Sequence, residues 1–176
     1  MSSDRQQAPL RMETQFTARR PWVPTVVALR RWAAAAHETA LARAARSRRC
    51  AVPVPAGLCI RVVGAAAGRR LNHEYRGKDK PTNVLSFPAS PEERALTGAI
   101  GDLVVCAPVV AAEARVQRKA REAHWAHIIV HGVLHLHGYD HERSARAARE
   151  MEALEVEILR GFGYLDPYSP VIPRNK

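Results

Sequence analysis

The sequence predicts an α+β fold: a small mixed β-sheet packed against helices, with a central buried helix carrying metal-binding histidines. Three observations lead there. Three short runs rich in β-branched and apolar residues, at 58–63, 83–88 and 100–106, all fall in the first two thirds of the chain. Helical periodicity dominates the last third. One of its segments, 122–136, is apolar on nearly all sides, the mark of a helix covered on every face. Strands gathered ahead of several helices argue for segregated layers.

Taken in order, residues 1–20 are polar, basic and without period, and are expected to form a disordered leader. Pro21 and Pro24 then open the single domain expected over 21–167. From Thr25 to about Arg46, Val26, Leu29, Ala33, Ala36 and Ala40 fall on one stripe and Thr25 can cap it, so a helix is expected. Residues 42–49 either continue it or form a basic linker, and Pro53 and Pro55 break the chain. The run 58–63 (L-C-I-R-V-V) is a strand, and 65–75 a short helix with Leu71 and Tyr75 on one side. A loop, G-K-D-K-P-T, leads to the strand 83–88, which Pro88 ends. Residues 89–98 read as a loop and 100–106 as a third strand. Pro108 suits the first turn of a helix reaching Gln117, and 118–121 fits a break or a continuation. Beyond the buried helix, 144–159 is amphipathic with Met151, Leu154 and Ile158 inward, closed by Gly161. The tail, 168–176, is irregular.

The chain is long enough at 176 residues to bury a core of its own. Cys50, Cys59 and Cys106 contain no C-x-x-C pair and read as small core residues or free thiols in a reducing compartment, with no disulfide partner. No apolar signal region or membrane-length run is visible, so a cytoplasmic protein without a membrane partner is expected. The formal charge of +10 biases the partner towards a polyanion, and residues 1–50 hold ten Arg, no Lys and three acids. Charge alone leaves nucleic acid and an acidic membrane equally open.

The chemistry concentrates in 131–141, H-G-V-L-H-L-H-G-Y-D-H. His131 and His135 are four apart, so at about 3.6 residues per turn both project from one face. Gly138 suits the left-handed turn that ends a helix and brings His141 alongside. Three imidazoles without a fourth protein ligand suit a catalytic metal, since structural zinc sites close all four positions. Asp140 and Asp102 are the candidate carboxylates for the outer ring nitrogens. His124 and His127 fit core histidines with local partners better than ligands, and His137 points elsewhere.

The spacing matches the metzincin pattern H-E-x-x-H-x-x-G-x-x-H in every ligand and in the glycine. The second position, however, is Gly132 where the protease needs a general-base Glu. A peptidase is therefore a distant alternative. A second stretch, L-N-H-E-Y-R-G-K-D-K-P-T-N-V-L-S-F-P at 71–88, clusters Arg76, Lys78 and Lys80. Beside a three-histidine metal these cations would make a phosphodiester site. Taken by itself, their composition fits a solvated basic loop equally well.

These two stretches, with G-D-L-V-V-C-A-P at 101–108, E-A-H-W-A-H-I-I-V ahead of the histidines and M-E-A-L-E from Met151, resemble the YbeY family of bacterial endoribonucleases, also called rRNA maturation factors. The resemblance runs over about 58–167. It implies an α+β fold and one zinc ion (Zn2+) per chain held by His131, His135 and His141. It also implies metal-dependent cleavage of single-stranded RNA, in processing the 3′ end of 16S rRNA and in ribosome quality control. The family's basic pair falls on Arg76 and Lys78, so the candidate catalytic set is Arg76, Lys78 and His131. The expected partners are single-stranded RNA or rRNA and the small ribosomal subunit or ribosome. A non-catalytic ribosome assembly factor with structural zinc is the alternative reading. Where the family often carries an acid after the first core strand, this chain has Gly64 followed by three alanines.

Overall fold

The computed structural model describes residues 10–17, 23–46 and 56–169. In chain order they form β1 (Arg11–Phe16), α1 (Val26–Arg46), β2 (Gly57–Val63), α2 (Ala65–Arg76) and β3 (Val84–Pro88). After these come α3 (Pro91–Thr97), β4 (Ala99–Cys106), α4 (Ala107–Val116), α5 (Arg121–Leu136) and α6 (Ala145–Gly161). The strands make a mixed sheet in the order β1-β2-β4-β3, with β1, β2 and β4 parallel and β3 antiparallel to β4. The expected α+β architecture holds. Among the described residues no helix is long and apolar enough to cross a membrane.

Helix α5 is central because apolar residues cover most of its faces. Trp125, Ala126, Ile129, Val130, Val133 and Leu134 are all fully buried, and α5 packs against β3, β4, α1, α4 and α6. Gly132 sets how closely it lies on the sheet. A Cβ there would stand 2.9 and 3.1 Å from the two δ carbons of Leu103 and 3.4 Å from Val84 Cγ2. Any side chain at 132 would therefore force Leu103 to shift and disturb the packing of α5 on β4.

Most expected elements appear within a residue or two. Thr25 caps α1 by accepting from the Ala28 N–H at 3.2 Å, and Leu29, Ala33, Ala36 and Ala40 form its buried stripe while Val26 is exposed. Between α4 and α5 the chain breaks, with Arg118 left-handed at φ 53°. The inward stripe of α6 holds Met151, Leu154 and Ile158 as expected. Its closing turn uses Gly163 at φ 79°, two residues beyond Gly161.

Two expectations need correcting. Residues 11–16, expected within a disordered leader, form β1, an edge strand paired in register from Arg11↔Gly57 to Phe16↔Val62. Met12 and Phe16 alternate with polar residues and pack on the core, and the ladder offered by β2 orders a segment too short and polar to order itself. Residues 1–9 and 18–20 of the expected leader, and the Pro53–Pro55 break, lie outside the described residues. Residues 89–98, expected as a loop, contain α3. It is nucleated by a capping box in which Ser90 accepts from the Glu93 N–H and the Glu93 side chain accepts from the Ser90 N–H, with Pro91 in the first turn. It buries no residue, so it has no periodicity to detect. In α2 the inward side is Gly68 and Asn72, while Tyr75 is 57% exposed. A Cβ at Gly68 would lie 2.9 Å from Cys106 Sγ, and Asn72 Nδ2 donates to the Lys80 carbonyl at 2.6 Å. The helix thus approaches by its smallest residue and anchors the basic loop through a polar one.

One part-buried pair is expected to make the fold acid-sensitive. His37 of α1 and His137 at the end of α5 face each other, Nδ1 to Nε2 at 2.9 Å. Burial lowers the pKa of both, and for His137 the neighbouring His37 and Arg94 add to it, bringing it down to about 3. Each ring is therefore harder to protonate in the fold than in the unfolded chain, where His137 titrates near 6.5. The stability this pair provides is complete above that pH and is lost as the pH falls from about 6.5 towards 3. Unfolding in chelator from pH 7.5 to 4 should show the loss, and His37→Leu should flatten the slope by about one proton. An unchanged slope would remove the pair as its cause.

Candidate metal centre

His131 and His135 leave α5 on the same side, and the turn after the helix returns the chain towards them. Gly138 sits at φ 86°, with the Gly138 N–H on the His135 carbonyl at 2.9 Å and the Tyr139 N–H on the Leu134 carbonyl at 3.1 Å. His141 is thereby delivered beside the pair. Ring centroids are 4.6 Å apart for His131 and His135, and 5.2 Å for each of them with His141. One nitrogen from each ring lies within 4.8 Å of the others.

The donor set fits a divalent cation. His131 Nε2 and His135 Nε2 face each other at 3.1 Å, and burial, then the neighbouring His131 and His141, lower the pKa of His135. The His135 ring is thereby favoured in its neutral form, and its Nε2 converges with that of His131, as a metal requires. The other side of His131 is also set, because its Nδ1 meets Glu155 Oε1 at 2.7 Å. Burial works against the charge on Glu155, but hydrogen bonds from His127 and His131 overcome it and hold the carboxyl down at about 2. A buried carboxylate accepting from Nδ1–H fixes the tautomer that leaves Nε2 free for a cation.

The histidines open into a cleft of about 660 Å³ that Arg76, Lys78, Lys80 and Arg143 also line. The structure therefore brings the two sequence stretches together, Arg76 from the end of α2 and Lys78 and Lys80 from the loop after it. Arg69 clasps Asp79 through two hydrogen bonds, at 2.7 and 2.6 Å, and so braces that loop. The family model for endoribonuclease YbeY matches residues 26–163. The chain belongs to the YbeY family. Among YbeY relatives, one from Alkalilimnicola ehrlichii is 52% identical over 162 residues, covering 90% of this chain and 91% of its own. Another, from an Acidovorax species, is 50% identical over 138 residues, covering 77% and 88%. Both carry the name endoribonuclease YbeY. The solution structure of TM1509 from Thermotoga maritima shares the fold, with a TM-score of 0.54 at 21% identity over 91% of this chain and 99% of that one.

Within this YbeY fold the remaining candidates separate. Asp140 lines the cleft, and its Oδ1 accepts from the Glu142 N–H at 2.9 Å, shaping the turn that carries His141. Asp102 lies elsewhere. It precedes Leu103, which faces α5, so strand alternation aims it at the opposite face. Burial there, then the nearby Glu93 and Glu13, raise its pKa. His127 meets the second oxygen of Glu155 at 3.2 Å. His124 pairs with Glu113 at 2.9 Å, and Asn83 donates to the same carboxylate. His137 points away from the cluster, to His37.

The carboxylate behind His131 is thus Glu155, and neither Asp140 nor Asp102 takes the place expected for it. Its signal in the sequence lies inside M-E-A-L-E: a single acid on the apolar stripe of α6, four residues after Met151 and next to Leu154. A buried acid on such a stripe requires partners, and here they are two imidazoles and the Tyr168 hydroxyl.

Proposed function

We propose that this chain is a metal-dependent endoribonuclease of single-stranded RNA, acting in rRNA processing on the small ribosomal subunit in the cytoplasm. In this reading the domain spans 21–167, and His131, His135 and His141 hold one zinc ion. The observation that carries it is the cleft itself, in which three convergent imidazoles and the cations Arg76, Lys78, Lys80 and Arg143 share one space. Three imidazole nitrogens and no thiolate suit zinc in an open, catalytic arrangement.

When bound, the metal would supply Lewis acidity towards a phosphoryl oxygen and a water. The chain's own residues do the rest. Arg76 offers a planar fork to non-bridging phosphate oxygens, and Lys78 adds a compact charge against the negative charge that develops during displacement. Glu155 keeps His131 in one tautomer. The loop clasped by Arg69 and Asp79, and tied to α2 by Asn72, holds the cations in place before RNA arrives, so little ordering remains at the moment of reaction.

The test is cleavage of single-stranded rRNA fragments by purified, zinc-loaded chain. Arg76→Ala and Lys78→Ala should each lower kcat/KM by about 100-fold with metal content unchanged. Full turnover in the double variant would remove phosphate stabilisation by this loop. A wild type that holds metal yet cuts none of several RNAs would put a ribosome assembly factor with structural zinc in place of the nuclease.

A further inference from the structure

Strand β3 ends the sheet, so one of its edges is unpaired among the described residues. Which groups point to that edge follows from the register. The Cys106 N–H donates to the Asn83 carbonyl, and the Ala89 N–H donates to the Ile100 carbonyl. With Val84↔Val105 and Ser86↔Leu103 as Cα partners, the odd-numbered residues 83, 85, 87 and 89 bond to β4. The backbone groups of 84, 86 and 88 therefore face away from it. The Val84 N–H is taken by its neighbour's Asn83 Oδ1 at 2.7 Å, and Pro88 has no N–H. Among the described residues, Ser86 is left as the one position of β3 with a free outward N–H. It stands beside the metal-binding helix, its Oγ 3.4 Å from the Gly132 carbonyl one residue after His131, and it lines the cleft with the histidines and the cations.

We propose that this open edge is a phosphate subsite: the Ser86 N–H holds a non-bridging oxygen of the RNA strand next to the three histidines, while the Ser86 hydroxyl donates to the Gly132 carbonyl and fixes the residue against α5. The proposal rests on the RNA reading above and deepens it. An unpaired strand edge also suits an extended peptide, which would use both N–H and carbonyl groups. Four cations in the same cleft favour an anion, and an anion needs only the donor.

Proline offers a selective test. Pro88 already occupies a position of the same outward parity in β3, so the edge accepts a residue without N–H where the ladder does not use one. In zinc-loaded full chain, Ser86→Ala removes only the hydroxyl and should lower kcat/KM for single-stranded RNA about threefold. Ser86→Pro removes the N–H as well and should lower it about 100-fold, with metal content and thermal midpoint as in wild type. Equal losses in the two variants would overturn the proposal. So would a Ser86→Pro chain that cuts RNA like Ser86→Ala but has lost a chelator-sensitive peptide cleavage shown by wild type. A second measurement needs no variant. Titrating wild type with a short single-stranded oligodeoxythymidylate should shift the Ser86 amide proton downfield by more than those of Leu85 and Phe87, whose N–H groups are held in the ladder. A Ser86 amide that moves no more than its neighbours sinks the subsite, also where the proline variant fails to fold. Wild type that cuts no RNA would defeat the nuclease reading alone, because the amide shift still decides whether the edge binds a phosphodiester.

Discussion

His131→Ala is expected to leave the chain with well under one metal ion per molecule and to reduce RNA cleavage by about a thousandfold. The ring supplies one of three converging nitrogens, and it alone links the cluster to the buried Glu155 carboxylate. Its loss also leaves Glu155 short of a partner in a fully buried position, so a fall in stability should accompany the loss of metal. Elemental analysis, cleavage assays and thermal unfolding on the same preparation separate these effects. A graded companion is Glu155→Gln. It keeps the shape of the side chain but removes the charge, and should weaken zinc binding by about 10- to 100-fold in competition with a chelator. Wild-type affinity in that variant would show that the tautomer of His131 is set without Glu155.

Gly132→Glu is expected to unfold the protein and confer no peptidase activity. The substitution would complete the metzincin pattern on paper, but position 132 faces the sheet. Its first added carbon would already lie 2.9 Å from Leu103, and the carboxylate would enter the interface of α5 with β3 and β4. Overpacking there costs about 1–3 kcal/mol, and an unpaired buried charge several more. That is comparable with the roughly 5–15 kcal/mol by which a domain is stable. Gly132→Ala isolates the steric part and should lower the thermal midpoint measurably with the histidines intact. A folded, casein-cleaving Gly132→Glu chain would reverse this account of why glycine stands there.

The same residue shows how far the sequence can be read. A glycine after the first histidine is enough to argue against a protease-type base. That it is required by the closeness of α5 to Leu103 is not legible there, because helix-to-sheet distance is not a property of either segment alone. Ser90, Pro91 and Glu93 spell a capping box, yet α3 buries nothing, so hydrophobic periodicity passes over it. In α2 spacing puts Leu71 and Tyr75 on one side, but the side that packs is the one holding Gly68, because Gly68 lets the backbone close on Cys106. Met12, Thr14 and Phe16 carry a period of two, but in a polar, basic stretch that pattern gains meaning only through its ladder with β2.

Local rules alone account for the order of the core strands and long helices, the three converging histidines and the basic stretch at 76–80. Those rules are period, capping, and the left-handed turn at Gly138 that returns His141 to its helix. Tertiary packing was needed to choose the carboxylate behind His131, to turn the basic loop towards the metal cleft, and to leave the Ser86 N–H at an open edge of β3. Such facts join segments from 24 to 55 residues apart, such as His131 with Glu155 and Arg76 with His131. Contacts at that range are set by how whole elements pack, and no short window of residues contains the packing.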